Sequence, residues 1–229
     1  MSFLTLPKHT LERDDNHPLG GRHYNTELGW AGSVTNKIGQ SKDMTGINEW
    51  REWKGKEKAD EILKVAGFRG TGTHNNVEQF LLTGVEPKFC MLRTPYWNSI
   101  KEFLVKIEHT VLMEGAVWHP DGFAGSLDHL GYIIEDRGEI SLSDWKSAEK
   151  YIDESKVAGQ QKLYDYKLQV AAYKAAAEYV YRDYGLYIPR ARIVLAIPDA
   201  APQVFKLEAD ELKQLFIHFQ ARNRYANSK

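Results

Sequence analysis

Cysteine is almost absent from this chain: Cys90 is the only one among 229 residues. That excludes a disulfide framework within the chain, and with it any four-cysteine zinc or iron–sulfur site. A reducing, cytoplasmic setting is the matching expectation. An excess of either charge is lacking too, since 30 Lys and Arg stand against 31 Asp and Glu. Attraction to polyanions by bulk charge is thereby ruled out, so any contact with nucleic acid needs a local arrangement of cations. Long hydrophobic runs are missing. No stretch approaches the roughly 18 apolar residues of a membrane span, and residues 1–15 fit neither a secretory signal nor an Arg-rich transit peptide. There is no internal repeat, no low-complexity tract and no G-x-x-x-x-G-K-(S/T) sequence. The expectation is a protein with no nucleotide cofactor and no motor of its own.

What is there suits a folded domain: 42% of residues are apolar and 27% charged, a balance that supports a core of ordinary size. Residues 14–46 are rich in Gly, Asn, Asp, Ser and Thr and read as an irregular arm without a core of its own, with one extended piece at Gly32-Ser33-Val34-Thr35. Apolar spacing predicts a helix over 47–66 that breaks at Gly55, and a second one capped by Thr71 or Thr73 that stops at Gly84. Thr94-Pro95 starts a third. The middle changes character, with strand composition at 105–112, 122–134 and 139–145 and a hairpin turn at Asp136-Arg137-Gly138. A long helix over 162–184, strands at 191–197 and 204–207, and an amphipathic helix over 208–225 complete the chain. This order predicts an α/β fold built on one mixed sheet. Residues 1–104, an arm with helices, would lie against a core formed by 105–229.

A carboxylate, any residue and a lysine occur in that order at six places, so the triplet by itself means little. Position separates them. Residues i and i+2 share a face on a strand but diverge by about 200° on a helix. Only Asp144-Trp145-Lys146 falls at the end of an expected strand. The hairpin turn joins that strand to Gly125-Ser126-Leu127-Asp128, so Asp128 and Asp144 are expected side by side. Two such carboxylates repel unless a proton or metal intervenes, and oxygen ligands without cysteine favour Mg2+ or Mn2+. Spacing alone leaves a plainer reading open, in which these are solvated strand-end charges. His74 and Glu78 share a helical face, as do Gln169 and Tyr173. The run Arg69-Gly70-Thr71-Gly72-Thr73-His74 leads toward an expected helix start, whose free N–H groups suit a phosphate.

Together, Glu108, Gly125-Ser126-Leu127-Asp128, Asp144-Trp145-Lys146-Ser147 and Gln169-Val170-Ala171-Ala172-Tyr173 resemble the ordered signature of the RecB-type branch of PD-(D/E)XK nucleases. Within that branch the chain is most similar to mitochondrial and phage exonucleases. Arg69-Gly70-Thr71 with His74 resembles the branch's upstream histidine motif. The resemblance implies a restriction-endonuclease-like core under an arch of N-terminal helices. It also implies that Asp128, Asp144 and the Trp145 carbonyl ligate Mg2+ or Mn2+, and that Lys146 positions the attacking water. His74 would assist at the metal or the scissile phosphate, and Gln169, supported by Tyr173, would orient Lys146 or the substrate. Glu108 would be a metal neighbour or a structural acid.

The function so implied is metal-dependent hydrolysis of DNA from ends, on single strands or frayed termini, in DNA processing, recombination or repair. A separate helicase or recombination protein would open the substrate. A flap endonuclease and a catalytically silent binding module are the alternatives. Arg69, Thr71, Ser147, Arg93 and Lys101 are the candidate DNA contacts, with Lys88, Lys106, Arg190 and Arg192 as further cations able to neutralise phosphates. Trp50, Trp53 and Trp97 are candidates for stacking on bases, against the plainer reading that most aromatics are core.

Overall fold

The computed structural model describes residues 3–42 and 44–227. Three short strands open the chain, β1 (Glu12–Asp14), β2 (His23–Thr26) and β3 (Gly29–Ser33), followed by helices α1 (Val34–Gln40), α2 (Thr45–Lys54), α3 (Lys56–Thr83) and α4 (Thr94–Leu104). Then come β4 (Ile107–His119), β5 (Phe123–Ile133), β6 (Ile140–Ser147), α5 (Val157–Val180), β7 (Arg190–Ala196), β8 (Gln203–Glu208) and α6 (Ala209–Asn227). All eight strands join one mixed sheet in the order β1-β2-β3-β5-β6-β7-β8, with β4 paired to β5 off that path. The β3–β5 and β6–β7 pairs are parallel and the others antiparallel. The expected α/β class with a mixed sheet is the one observed.

Helices cover both faces. Leu163, Leu168, Ala172 and Ala176 of α5 and Leu212 and Phe219 of α6 enclose the larger core with Leu127, Leu130, Leu142 and Ile193 of the sheet. On the other face, Trp97, Ile100 and Phe103 of α4 and Val77 of α3 cover Ile133, Trp145 and Val194. The Asp136-Arg137-Gly138 turn forms as expected, with Arg137 at φ 53° and Gly138 at φ 88°, and it fixes the β5–β6 register that pairs His129 with Ser143. Among the described residues no helix is long and apolar enough to cross a membrane.

Two local expectations are corrected. The N-terminal arm is not irregular: β3 pairs with β5 at Phe123 and Ala124, and Val34 and Ile38 of α1 are buried in the larger core. Its strands escape a pattern search because each is only 3 to 5 residues long and is stabilised by partners distant in sequence. The second correction concerns Thr71 and Thr73, which cap nothing. Helix α3 runs unbroken from residue 56 to 83, and the Thr73 hydroxyl donates to the Arg69 carbonyl one turn back at 3.0 Å, the interior-helix habit of threonine. The expected phosphate site at a helix start therefore does not exist there. The breaks at Gly55 and Gly84 are observed, at φ 81° and 69°.

Candidate active site

The site lies where β5 changes partner. Along one edge β5 is paired to β4; along the other it meets β3 at residues 123 and 124 and β6 at residues 129–132. Residues 125–128 fall between those two partners. Asp128, at the end of this gap, is only 6% exposed, and Asp144 on β6 is 1% exposed. The Trp145 N–H donates to Asp128 Oδ2 at 2.7 Å, which ties the two strands exactly where both carboxylates face the gap. Lys146 Nζ stands 2.5 Å from Asp144 Oδ2. The period of two along β6 thus puts Asp144 and Lys146 together, as the sequence pattern requires.

Helix α5 closes the site from one side. Gln169 Nε2 donates to Asp144 Oδ1 at 3.0 Å, so this amide orients the carboxylate rather than the lysine. Tyr173, buried one turn on, covers Gly125: a Cβ at that glycine would lie 2.7 Å from Tyr173 Cε1. The glycine is required by the close approach of the ring. Helix α3 brings His74 from the opposite side, with Nδ1 3.4 Å from Glu114 Oε1 and 3.5 Å from Asp128 Oδ1.

Glu114 is the site residue that sequence reasoning missed. It stands on β4, and its neighbours Met113 and Gly115 pair with His129 and Leu127, so Glu114 falls opposite Asp128. Its φ of 47° lies in the left-handed region, costly for a glutamate and sustained only by its surroundings. The sequence signal was an acid followed by glycine inside an apolar strand. Glu108, the acid expected on this strand, is exposed and stands apart from the group, because two register irregularities separate the start of β4 from Glu114.

Charge is concentrated here and withheld from water. Burial raises Asp144 to about 6, with the Asp128 charge adding to it and Lys146 opposing. Asp128 is also raised, chiefly by burial, against the pull of His74 and Lys146. Burial would lower His74, but the Asp128 charge and the Glu114 hydrogen bond outweigh it and lift the imidazole to about 9. Lys146 is raised too, since Asp144 and Asp128 outweigh its desolvation. His74 thus faces Asp128 and Glu114 while Lys146 faces Asp144, so two nitrogen groups stand against three carboxyl groups.

The donor set fits a hard divalent cation. Ligating atoms of His74, Glu114 and Asp128 all lie within 4.8 Å of one another. Asp144 Oδ2 is buried without an aligned hydrogen-bond donor, although Lys146 neutralises it as an ion pair. Carboxylate oxygens with one imidazole and no thiolate are the ligands of magnesium-like ions and manganese.

No protein-family model and no curated protein matches this chain. Among solved structures it resembles that of a proposed exonuclease from Eubacterium rectale, at 13% identity and a TM-score of 0.39, over 86% of this chain and 68% of that one. So slight a likeness assigns no chemistry.

The remaining candidates divide. Arg69 is buried beside the site, where it donates to the Tyr96 hydroxyl at 2.9 Å, pairs with Glu149 and reaches Ser147 Oγ at 3.4 Å. It braces the residue after Lys146. Thr71 and Asn75 line a cavity beside His74. Arg93 lies across α3 over the Phe68 ring, and Lys101 is paired with Glu86. Arg192 is 1% exposed and grips Asp136, so it is corrected from a phosphate contact to a structural cation. Arg190 is engaged by Glu139 and Glu208. Trp97 is core, whereas Trp53 is 76% exposed.

Proposed function

We propose that this protein is a metal-dependent DNA exonuclease, hydrolysing phosphodiester bonds at single-stranded or frayed ends. The observation that carries the reading is the buried pair Asp128 and Asp144, held by adjoining strands with Lys146 against one and His74 against the other. The resemblance to PD-(D/E)XK nucleases of the RecB type supports the same assignment. Mg2+ or Mn2+ would be held by Asp128, Asp144 and the Trp145 carbonyl, with Glu114 and His74 completing the ligand set. When bound, such an ion supplies Lewis-acid activation of the phosphodiester and lowers the pKa of water.

The chain's own groups do the rest. Gln169 fixes the Asp144 carboxylate through its hydrogen bond, and the Trp145 N–H fixes Asp128. Lys146 holds the attacking water and offsets the charge that grows on the phosphoryl oxygens. Tyr173, buried against Gly125, keeps that side of the site dry, which strengthens each of these interactions. A helicase or recombination protein would supply the opened strand.

The test is digestion of 5′- and 3′-labelled linear single and double strands beside a circular single strand, with and without Mg2+. Linear single strands are expected to shorten only with metal, and the circle to survive. Asp144→Asn and Lys146→Ala are each expected to slow cleavage by at least about a hundredfold. Normal digestion by the Lys146→Ala protein removes the mechanism, and rapid cutting of the circle replaces an exonuclease with an endonuclease.

A further inference from the structure

A second cavity lies on the other face of the N-terminal strands. It encloses about 620 Å³ among β2, β3, α1 and the end of α6, where His23, Trp30, Gly32, Lys37, Gln40 and Asn227 line it. Successive residues of a strand point to opposite sides. Tyr24 accordingly lines the cavity beside His74, and His23 lines this one. The two cavities share no residue, and among the described residues no carboxylate lines the second.

Two nitrogen groups are buried there, Lys37 at 8% exposure and His23 at 4%. Among the described residues Lys37 has no acidic partner. Its Nζ donates to Asn227 Oδ1 at 2.5 Å, a neutral group, and burial lowers its pKa. A buried ammonium without an opposite charge is costly, and an apolar side chain of that length would avoid the cost. Gly32 makes the room for it, since a Cβ there would lie 2.4 Å from Lys37 Cε and 3.0 Å from Nζ. The same point is 3.5 Å from His23 Nε2, so ammonium and imidazole converge. His23 Nδ1 donates to the Gly21 carbonyl at 3.2 Å, which fixes the tautomer. Nε2 is left without a hydrogen-bond partner among the described residues.

We infer that this cavity is a binding site for a small organic phosphate monoester. Lys37 supplies the opposite charge. His23 Nε2 accepts the acidic hydrogen of the monoanion or, once protonated, donates to the dianion. A group that carries charge and also offers a hydroxyl satisfies both nitrogens at once. A carboxylate or a sulfate leaves Nε2 unpaired until His23 takes up a proton. Gln40 and Asn227 add amide N–H donors. The outer part of the cavity is apolar: Trp30 packs on His17 with ring centres 4.6 Å apart, beside Pro18 and Leu19. The ester therefore carries a flat apolar group, and the volume suits a molecule of that size. This site is separate from the candidate metal centre and does not depend on the nuclease reading.

The probe is phenyl phosphate, titrated calorimetrically into the full chain at constant ionic strength beside inorganic phosphate, benzoate and sulfate. It is expected to bind at least about tenfold more tightly than benzoate or sulfate. Lys37→Met keeps the length and removes the charge. That variant is expected to lose at least about tenfold in affinity for the ester, with Tm unchanged or higher because a buried charge is gone. Trp30→Ala, at an exposed position, is expected to weaken phenyl phosphate about tenfold and leave inorganic phosphate unaffected. A further measurement needs no variant: reductive methylation of the wild-type chain, read by peptide mass spectrometry. Saturating phenyl phosphate is expected to slow labelling of Lys37 at least about fivefold and to leave the exposed Lys150 unchanged. No binding of the ester, equal binding by benzoate, equal affinity in a folded Lys37→Met protein, or unprotected Lys37 each overturns the inference.

Discussion

Asp128 and Asp144 belong to neighbouring strands, yet the bond that joins them is indirect: Asp128 Oδ2 accepts the N–H of Trp145, the residue between Asp144 and Lys146. One backbone donor therefore sets the position of one acid relative to the other acid and to the ammonium group. The Trp145 side chain is meanwhile held in the core on the opposite face, edge-on to Phe103. Packing on one face of β6 is in this way transmitted to the chemistry on the other.

Gln169 makes the corresponding bond to Asp144 from α5. Gln169→Ala removes a hydrogen bond to a charged group, which is worth about 1.5–3 kcal/mol. Cleavage is expected to fall by about tenfold to a hundredfold, with most of the loss in kcat. Gln169→Glu is expected to be worse, because it sets a further carboxylate against a buried one. Steady-state kinetics on a labelled single strand checks both, and an Ala variant of normal kcat contradicts the role given to this amide.

His74 ties metal binding to pH. Its pKa is lifted to about 9 in the metal-free chain, so at neutral pH the imidazole is protonated and repels an incoming cation. Metal uptake at pH 7 therefore expels protons, and the apparent affinity for Mn2+ rises as pH increases from 7 toward 9. In the absence of metal the same group stabilises the fold most below its unfolded pKa of about 6.5, and that contribution fades as pH rises through about 9. Calorimetric titration with Mn2+ in buffers of different ionisation enthalpy measures the released protons. His74→Gln is expected to release fewer, and identical proton release in both proteins rules out this coupling.

Arg192 and Asp136 form a buried ion pair, 1% and 3% exposed, which Ser141 joins by accepting from Arg192 at 2.6 Å. Removing one partner leaves the other charge buried and alone. Arg192→Leu is therefore expected to lose about 3–5 kcal/mol in urea unfolding. The exposed pair of Lys206 with Glu135 should contribute no more than about 1 kcal/mol. The salt dependence of DNA binding is expected to be the same in a folded Arg192→Lys protein as in the wild type, since this cation touches no phosphate. A shallower slope would return Arg192 to the DNA surface.

The chain by itself determined several features that depend on short periods. The step of two in Asp144-Trp145-Lys146, the turn at Arg137-Gly138 and the spacing of Gln169 and Tyr173 on one helical face are properties of residues a few positions apart, and local geometry admits few arrangements of them. Tertiary structure decided what depends on distant partners. It set Glu114 rather than Glu108 opposite Asp128, because two register irregularities early in β4, which leave no trace in composition, separate the two acids. It carried α3 through three closely spaced glycines, because contacts such as Gly72 with Arg93 outweigh the local preference to stop. It drew β1 to β3 into the sheet through pairing with β5, and it buried Arg192 by placing Asp136 within reach. In each case the free energy comes from contacts between residues far apart along the chain.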